Sequence, residues 1–98
     1  MTWEYPRAME KLLQRIVRLH GVRVGHVVDV ILDPSEGTPI GLEVRCQDGR
    51  HRFLPWPAAT PVGEEIVIDS PFAVLDGDEL AFYRERGVTL RERGEPSG

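Results

Sequence analysis

Short apolar runs separated by turn residues dominate the pattern of hydrophobic positions along the chain. The longest is Val22–Leu32, which is rich in Val and Ile and predicts a strand. Its apolar residues fall on both parities, which is typical of a strand that is buried on both faces or bent by a bulge. Gly25 is the natural position for such a bend.

A second strand alternates cleanly and leads into a hairpin. Ile40, Leu42, Val44 and Cys46 share one side of it, and polar residues occupy most of the other. The Asp48–Gly49 pair that follows is a strong hairpin signal. Residues 50–54 then read as the returning strand, so residues 23–54 predict a three-stranded antiparallel meander.

The remaining segments predict two more short strands and two short helices. Residues 16–20 and 64–69 have strand character, and residues 56–60 between prolines predict a loop or a single helical turn. An apolar stripe predicts a helix over about 6–14, and acidic residues at its start favour another over about 78–86. The stripe of the first helix consists of Met9, Leu12, Leu13 and Ile16, and in the second Leu80 and Tyr83 are expected to face the sheet.

These elements predict an all-β, mainly β fold. We expect a small, partly open β-barrel of about five or six strands, with a short N-terminal helix and a short C-terminal helix. Residues 1–90 would form a single domain with the barrel over about 15–71, and residues 91–98 a flexible tail.

Composition and charge narrow the classes of function. The chain has 98 residues, a net charge of −4 and one cysteine, Cys46. No run of about 18 apolar residues is present, so no membrane span is expected. A single cysteine excludes an internal disulfide and a cysteine-based zinc finger, and we expect a cytoplasmic protein. The acidic balance argues against strong non-specific binding to nucleic acid.

Candidate chemistry is sparse. His20, His26, His51 and Cys46 are the soft-metal candidates, but their spacing matches no metal motif. The sequence also lacks a phosphate-binding glycine loop, a nucleophile elbow and a His-Glu-x-x-His motif. We therefore expect no catalytic, cofactor-binding or metal-binding residues, and a protein that is not an enzyme.

The ordered set of strand and turn motifs resembles the PRC-barrel family. The similar segments are residues 21–33 (GVRVGHVVDVILD), residues 39–44 (PIGLEV), the Asp48–Gly49 turn and residues 52–56 (RFLPW). The resemblance covers roughly residues 14–71. It implies an SH3-like barrel, and it makes a small set of motif residues structural: Gly25, Asp29, Gly41, Gly49 and Pro55.

The family includes the cytoplasmic domain of the photosynthetic reaction-centre H subunit, the C-terminal domain of a bacterial ribosome-maturation factor, and small stand-alone proteins. This sequence shows neither a transmembrane helix nor a second barrel, so the resemblance implies the stand-alone class. We expect a non-enzymatic protein-interaction or adaptor module. The alternative is a ribosome- or RNA-associated accessory factor.

Aromatic, apolar and arginine residues supply the expected partner surface. Aromatic side chains are enriched at the cores of interfaces, and the apolar N-terminal stripe needs a cover, which favours a homodimer. Arg45, Arg50 and Arg52 form the best basic patch, although the acidic balance disfavours RNA as its target. The candidate partner-binding residues are Trp3, Tyr5, Met9, Leu12, Leu13, Arg45, Arg50, Arg52, Phe53 and Trp56.

Overall fold

A single sheet organises the chain in the computed structural model, which describes residues 10–91. Within that range it has seven strands: β1 (Ile16–Leu19), β2 (Val22–Leu32), β3 (Pro39–Cys46), β4 (His51–Pro55), β5 (Thr60–Val62), β6 (Glu65–Ile68) and β7 (Val88–Thr89). Their order in the sheet is β4-β3-β2-β1-β6-β5, with β7 paired to β2. No pairing in this range joins β4 to β5, so the sheet is not closed.

The mainly β architecture and the meander over residues 23–54 are confirmed, and the strand number is corrected from five or six to seven. Strands β2, β3 and β4 are consecutive antiparallel neighbours. The two unpredicted strands, β5 and β7, have three and two residues. Segments this short carry no recognisable alternation, which is why the sequence pattern missed them.

A bulge explains the irregular alternation of β2. Val27 pairs with Val44 and Asp29 pairs with Glu43, so Val28 is an extra residue without a register partner on β3. The bulge places Val27 and Val30 on the same side of the sheet although they are three residues apart. Both alternatives suggested by the sequence therefore hold, since β2 is bent and its central residues are buried on both faces.

The buried residues form two clusters on opposite sides of the sheet. The larger cluster lies inside the curved sheet and includes Val17, Val30, Leu42, Leu54 and Ile66. The smaller one lies on the outer face of β2–β4. It joins Ile31 and Phe53 to Leu80, with Ile40, Leu75 and Tyr83 packed around them.

A C-terminal helix, α1 (Gly77–Arg86), covers this outer face. Leu80 is buried beneath it, and the ring of Tyr83 stacks on Phe53 with centroids 4.3 Å apart. The two residues expected to face the sheet are thereby confirmed. Because the same chain supplies the cover for β2, the two-faced strand gives no argument for a second copy.

Close backbone approach explains two of the predicted structural glycines. A Cβ atom on Gly25 would collide with the backbone oxygen of Arg45, and one on Gly41 would collide with the ring of Phe53. Gly49 has a φ of 84°, as the tight Asp48–Gly49 turn requires.

The predicted N-terminal helix is not supported. Its residues 6–9 lie outside the described range, Glu10 is helical, and residues 11–14 form turns that end at Gln14, whose φ is 71°. Leu12 belongs to the larger core cluster and is 5% exposed. No helix within residues 10–91 is long and apolar enough to cross a membrane.

Arg91, the first residue of the predicted tail, is hydrogen-bonded to the sheet. The backbone N–H of Arg91 donates to Asp29 Oδ1 at 3.2 Å, and its Nε donates to the Val28 carbonyl at 2.7 Å. Arg91 is therefore tied to the bulge of β2. Residues 92–98 lie outside the described range.

Candidate binding site

An apolar pocket opens at one end of the sheet. Its volume is about 360 Å³, which lies near the lower end of the range for small-ligand sites. We call it the end pocket. It is lined by Leu19, Val24, Cys46, Gln47, Asp48, Arg52, Ile68, Pro71 and Val74.

Strand ends build the walls of the end pocket. Leu19 closes β1 and Ile68 closes β6, and these two residues are register partners in the parallel pair. Cys46 is the last residue of β3. The fourth wall comes from the 3-10 turn Pro71–Ala73 and the residue after it, Val74. Because the sheet curves without closing, these ends surround a space that the larger core cluster does not fill.

One ion pair stands at the rim of the end pocket. Arg52 Nη2 lies 2.8 Å from Asp48 Oδ2, and Nη1 lies 3.1 Å from Oδ1, so the guanidinium and the carboxylate form a bidentate pair. The Arg52 hydrogen bonds, helped by the N–H of Arg50, lower the pKa of Asp48 to about 2. The Asp48 carboxylate, followed by the Cys46 thiol, raises the pKa of Arg52. Both rim groups are therefore charged at neutral pH.

Cys46 carries a free, half-buried thiol in the wall of the pocket. The sequence suggested a small core residue, and the thiol does pack against the larger core cluster. It also lies beside the Arg52 guanidinium, which contacts it. The one thiol of the chain therefore lies beside the guanidinium, which is the only cation among the described residues that line the pocket.

Two acidic side chains are buried on the other side of the sheet, beside α1. Glu43 Oε2 lies 2.5 Å from His51 Nδ1, and its Oε1 lies 3.3 Å from Arg84 Nη1. Asp29 is the cross-strand neighbour of Glu43 and accepts the N–H groups of Val30 and Arg91. Burial is the main cause that raises the pKa of Asp29, and the charge of Glu43 adds to it.

This carboxylate cluster is a structural feature of the contact between sheet and helix. Among the described residues, no buried side-chain nitrogen or oxygen lacks a hydrogen-bond partner. The cluster ties α1 and the chain after β7 to β2, β3 and β4. It gives Asp29 the structural role that the sequence assigned to it.

The predicted arginine patch is divided between two faces. Arg45 pairs with His51 and shares the outer face with Glu43, whereas Arg52 pairs with Val44 on the side that faces the core. Arg50 follows the hairpin turn and lines a depression of about 490 Å³ together with His51, Arg52, Asp76 and Asp78. Charges of both signs therefore surround it.

The apolar candidates also change position. Phe53 is 1% exposed and lies under α1, so it is not a surface residue of the described chain. Trp56 and Leu13 are half-buried and pack against the larger cluster. Pro55 ends β4 and precedes the 3-10 turn at Trp56–Ala58, which fits its predicted structural role. Trp3, Tyr5 and Met9 lie outside the described range.

No metal centre emerges from the candidate ligands. Residues 10–91 contain no group of three His, Cys, Asp or Glu side chains that could hold a metal ion. His51 is instead bonded to Glu43, while Cys46 lies in the end pocket.

Sequence reasoning missed the end pocket and the burial of Glu43. The pocket depends on which strand ends meet in space, and no local pattern carries that information. Glu43 stands on the polar side of an alternating strand, a position that predicts exposure. The exposed Phe72 is likewise not among the predicted partner-binding residues. It is 86% exposed and lies in the 3-10 turn that helps to close the pocket.

Comparison with known protein families gives a match. A family model described as the PRC-barrel domain matches residues 14–75. The matched segment runs from the turn before β1 through the last wall of the end pocket. A comparison with curated proteins gave no match.

Proposed function

The chain belongs to the PRC-barrel domain family, and from that premise we propose that it is a non-enzymatic interaction module that binds a protein partner at the end pocket. The module would act as an adaptor in the cytoplasm. We also propose that its sheet is of the SH3-like type that the family implies. No catalytic role is assigned to any residue.

The observation that supports this proposal is the end pocket itself. Its walls are formed by apolar side chains, and charged groups are confined to the rim. Interfaces have the same arrangement, with an apolar centre and a polar border. Phe72 lies in the chain between the lining residues Pro71 and Val74 and is 86% exposed. Aromatic side chains of this kind are enriched at the cores of interfaces.

RNA is the weaker candidate. An RNA contact would need Arg45, Arg50 and Arg52 to present their charges together. Arg45 and Arg52 lie on opposite faces of the sheet. Arg50 and Arg52 do line one depression, but Asp76 and Asp78 line it as well. This mixture of charges favours a protein partner over RNA.

The test uses a variant that fills the pocket and a matched control. Val74→Trp places a large side chain in the wall of the end pocket. Val62→Trp makes the same change on β5, where Val62 is 55% exposed and pairs with Glu65 at the far end of β6. Each full-length chain is immobilised and exposed to nuclease-treated lysate of the native host, and retained proteins are identified by mass spectrometry. Circular dichroism checks that both variants fold.

We expect a protein partner to be retained in near-equal amount by the wild type and by Val62→Trp, and to be lost with Val74→Trp. Undiminished retention of the partner by Val74→Trp would contradict the proposed site. Ribosomal material that disappears with nuclease would favour the RNA alternative.

A further inference from the structure

We propose that the end pocket binds an apolar carboxylate, with Arg52 exchanging its bond to Asp48 for a bond to the carboxylate of the ligand. This inference rests on the proposed function in one respect only, because it assigns a ligand class to the same pocket. The ligand would be an acid with a short apolar body, either a free molecule or the terminal carboxylate of a partner chain.

The lining of the pocket defines this class. Leu19, Val24, Ile68 and Val74 offer an apolar surface, and a volume of about 360 Å³ admits a small molecule or one to two side chains. Arg52 is the only cation among the described lining residues. A ligand that satisfies both features has an apolar body and an anionic head.

The state of Arg52 argues for a carboxylate in particular. Both of its terminal nitrogens already bind the two oxygens of one carboxylate, that of Asp48. The guanidinium is thus held in the planar fork geometry that recognises carboxylates. Asp48 occupies the position that the head of the ligand would take.

Exchange between the two carboxylates is feasible because Asp48 is close to water. Its side chain is 48% exposed, against 28% for Arg52. A released Asp48 would be hydrated, and its Oδ1 would keep the bond from the N–H of Arg50 within the turn. Asp48 is therefore an internal competitor, and removing its charge is expected to strengthen ligand binding.

Cys46 allows occupancy to be measured directly. It is the only cysteine of the chain and it lines the pocket. A ligand in the pocket would shield the thiol from iodoacetamide. The rate of alkylation, followed by mass spectrometry, reports binding without any knowledge of the natural partner.

The experiment compares octanoate with octanol, which has the same chain length but lacks the charge. Both are used below the concentration at which octanoate forms micelles, and free cysteine serves as a control for effects on the reagent. The proteins are the full-length wild type, Asp48→Asn, Arg52→Lys and Arg52→Gln. Asp48→Asn keeps an oxygen that can accept the turn hydrogen bond, and Arg52→Lys keeps the charge but loses the fork.

We expect octanoate, but not octanol, to slow alkylation of the wild type. Asp48→Asn should lower the octanoate concentration for half protection by at least about threefold, since the charge-assisted bond of the competitor is gone. Arg52→Lys and Arg52→Gln should raise it by about tenfold or more.

Equal protection by octanol and octanoate would overturn the inference, as would weaker octanoate binding by Asp48→Asn. Neither result would contradict the proposed function, because the pull-down with Val74→Trp tests only whether a protein partner binds at the pocket. The pull-down could also retain no partner that depends on the pocket. Combined with selective protection by octanoate, that outcome would indicate a small-ligand site and not an adaptor.

Discussion

Phe53 and Phe72 are the same residue type in opposite environments, and replacing each should give opposite results. Phe53 is 1% exposed, and its ring stacks on Tyr83 at 4.3 Å with an interplanar angle of 11°. Phe72 is 86% exposed. The changes are Phe53→Leu, Phe53→Ala and Phe72→Ala.

The expected magnitudes follow from this packing. Truncating a buried Phe to Ala costs about 3–5 kcal/mol of unfolding free energy. A domain of this length has only about 5–15 kcal/mol in total. Phe53→Ala therefore removes a large part of the stability, and Phe53→Leu is the informative variant. Leucine keeps most of the apolar volume but loses the aromatic pair, which predicts a cost of about 1–2 kcal/mol. Phe72→Ala should change stability by no more than about 0.5 kcal/mol.

Urea denaturation followed by circular dichroism measures these differences through the midpoint concentration. Thermal melts provide a second measure, in which about 1 kcal/mol corresponds to about 4–8 °C for a domain of this size. A double-mutant cycle of Phe53→Leu with Tyr83→Leu should give a coupling of about 0.5–1.5 kcal/mol. If Phe72→Ala destabilised the protein more than Phe53→Leu does, the packing of α1 on the sheet described above would be wrong.

Five further predictions concern other features of the molecule. Gly41→Ala should cost about 1–3 kcal/mol in urea denaturation, because the new Cβ collides with the ring of Phe53; an unchanged midpoint would contradict this close approach. Burial raises the pKa of Asp29 above its ordinary 3.8, so its carboxyl favours the folded state below that pH and loses this effect as the pH rises. The stability of Asp29→Asn relative to the wild type should therefore increase from pH 3.5 to pH 7. A decrease would show that burial is not the cause. The pKa of Asp48 is lowered to about 2, so Asp48→Asn should show the reverse trend, a small loss above about pH 4 that disappears near pH 2. Light scattering at micromolar concentration tests the predicted homodimer, and a mass of 11.1 kDa would contradict this prediction. A gel shift with ribosomal RNA tests the RNA alternative, which requires a retarded band that Arg50→Glu abolishes.

The meander was predictable because its signals are local. Turn residues, β-branched runs and the Asp48–Gly49 pair act over two to eight positions and agree with one another. The bounds predicted for β2 match the structure. The described part of the predicted N-terminal helix differs for the opposite reason, because residues 11–14 form turns instead. Leu12 fills the core from one of these turns, and tertiary packing overrides the helical periodicity there.

The pocket was not predictable because it depends on distant strand ends. Leu19 and Ile68 lie side by side although nearly fifty positions separate them in the chain. The burial of Glu43 is of the same kind. Its partners His51 and Arg84 come from another strand and from α1. Nothing within the local pattern of β3 indicates that a helix from the C-terminal part of the chain will cover that face.

The separation of the arginine and aromatic candidates on β4 has a simpler cause. Arg52 and Phe53 are adjacent in β4, and successive side chains of a strand point to opposite faces. Arg52 therefore stands at the end pocket while Phe53 packs under α1. These two candidate residues consequently do not share one surface. The same alternation lets Arg52 variants test ligand binding while Phe53 variants test stability, so the two sets of measurements should be independent of each other.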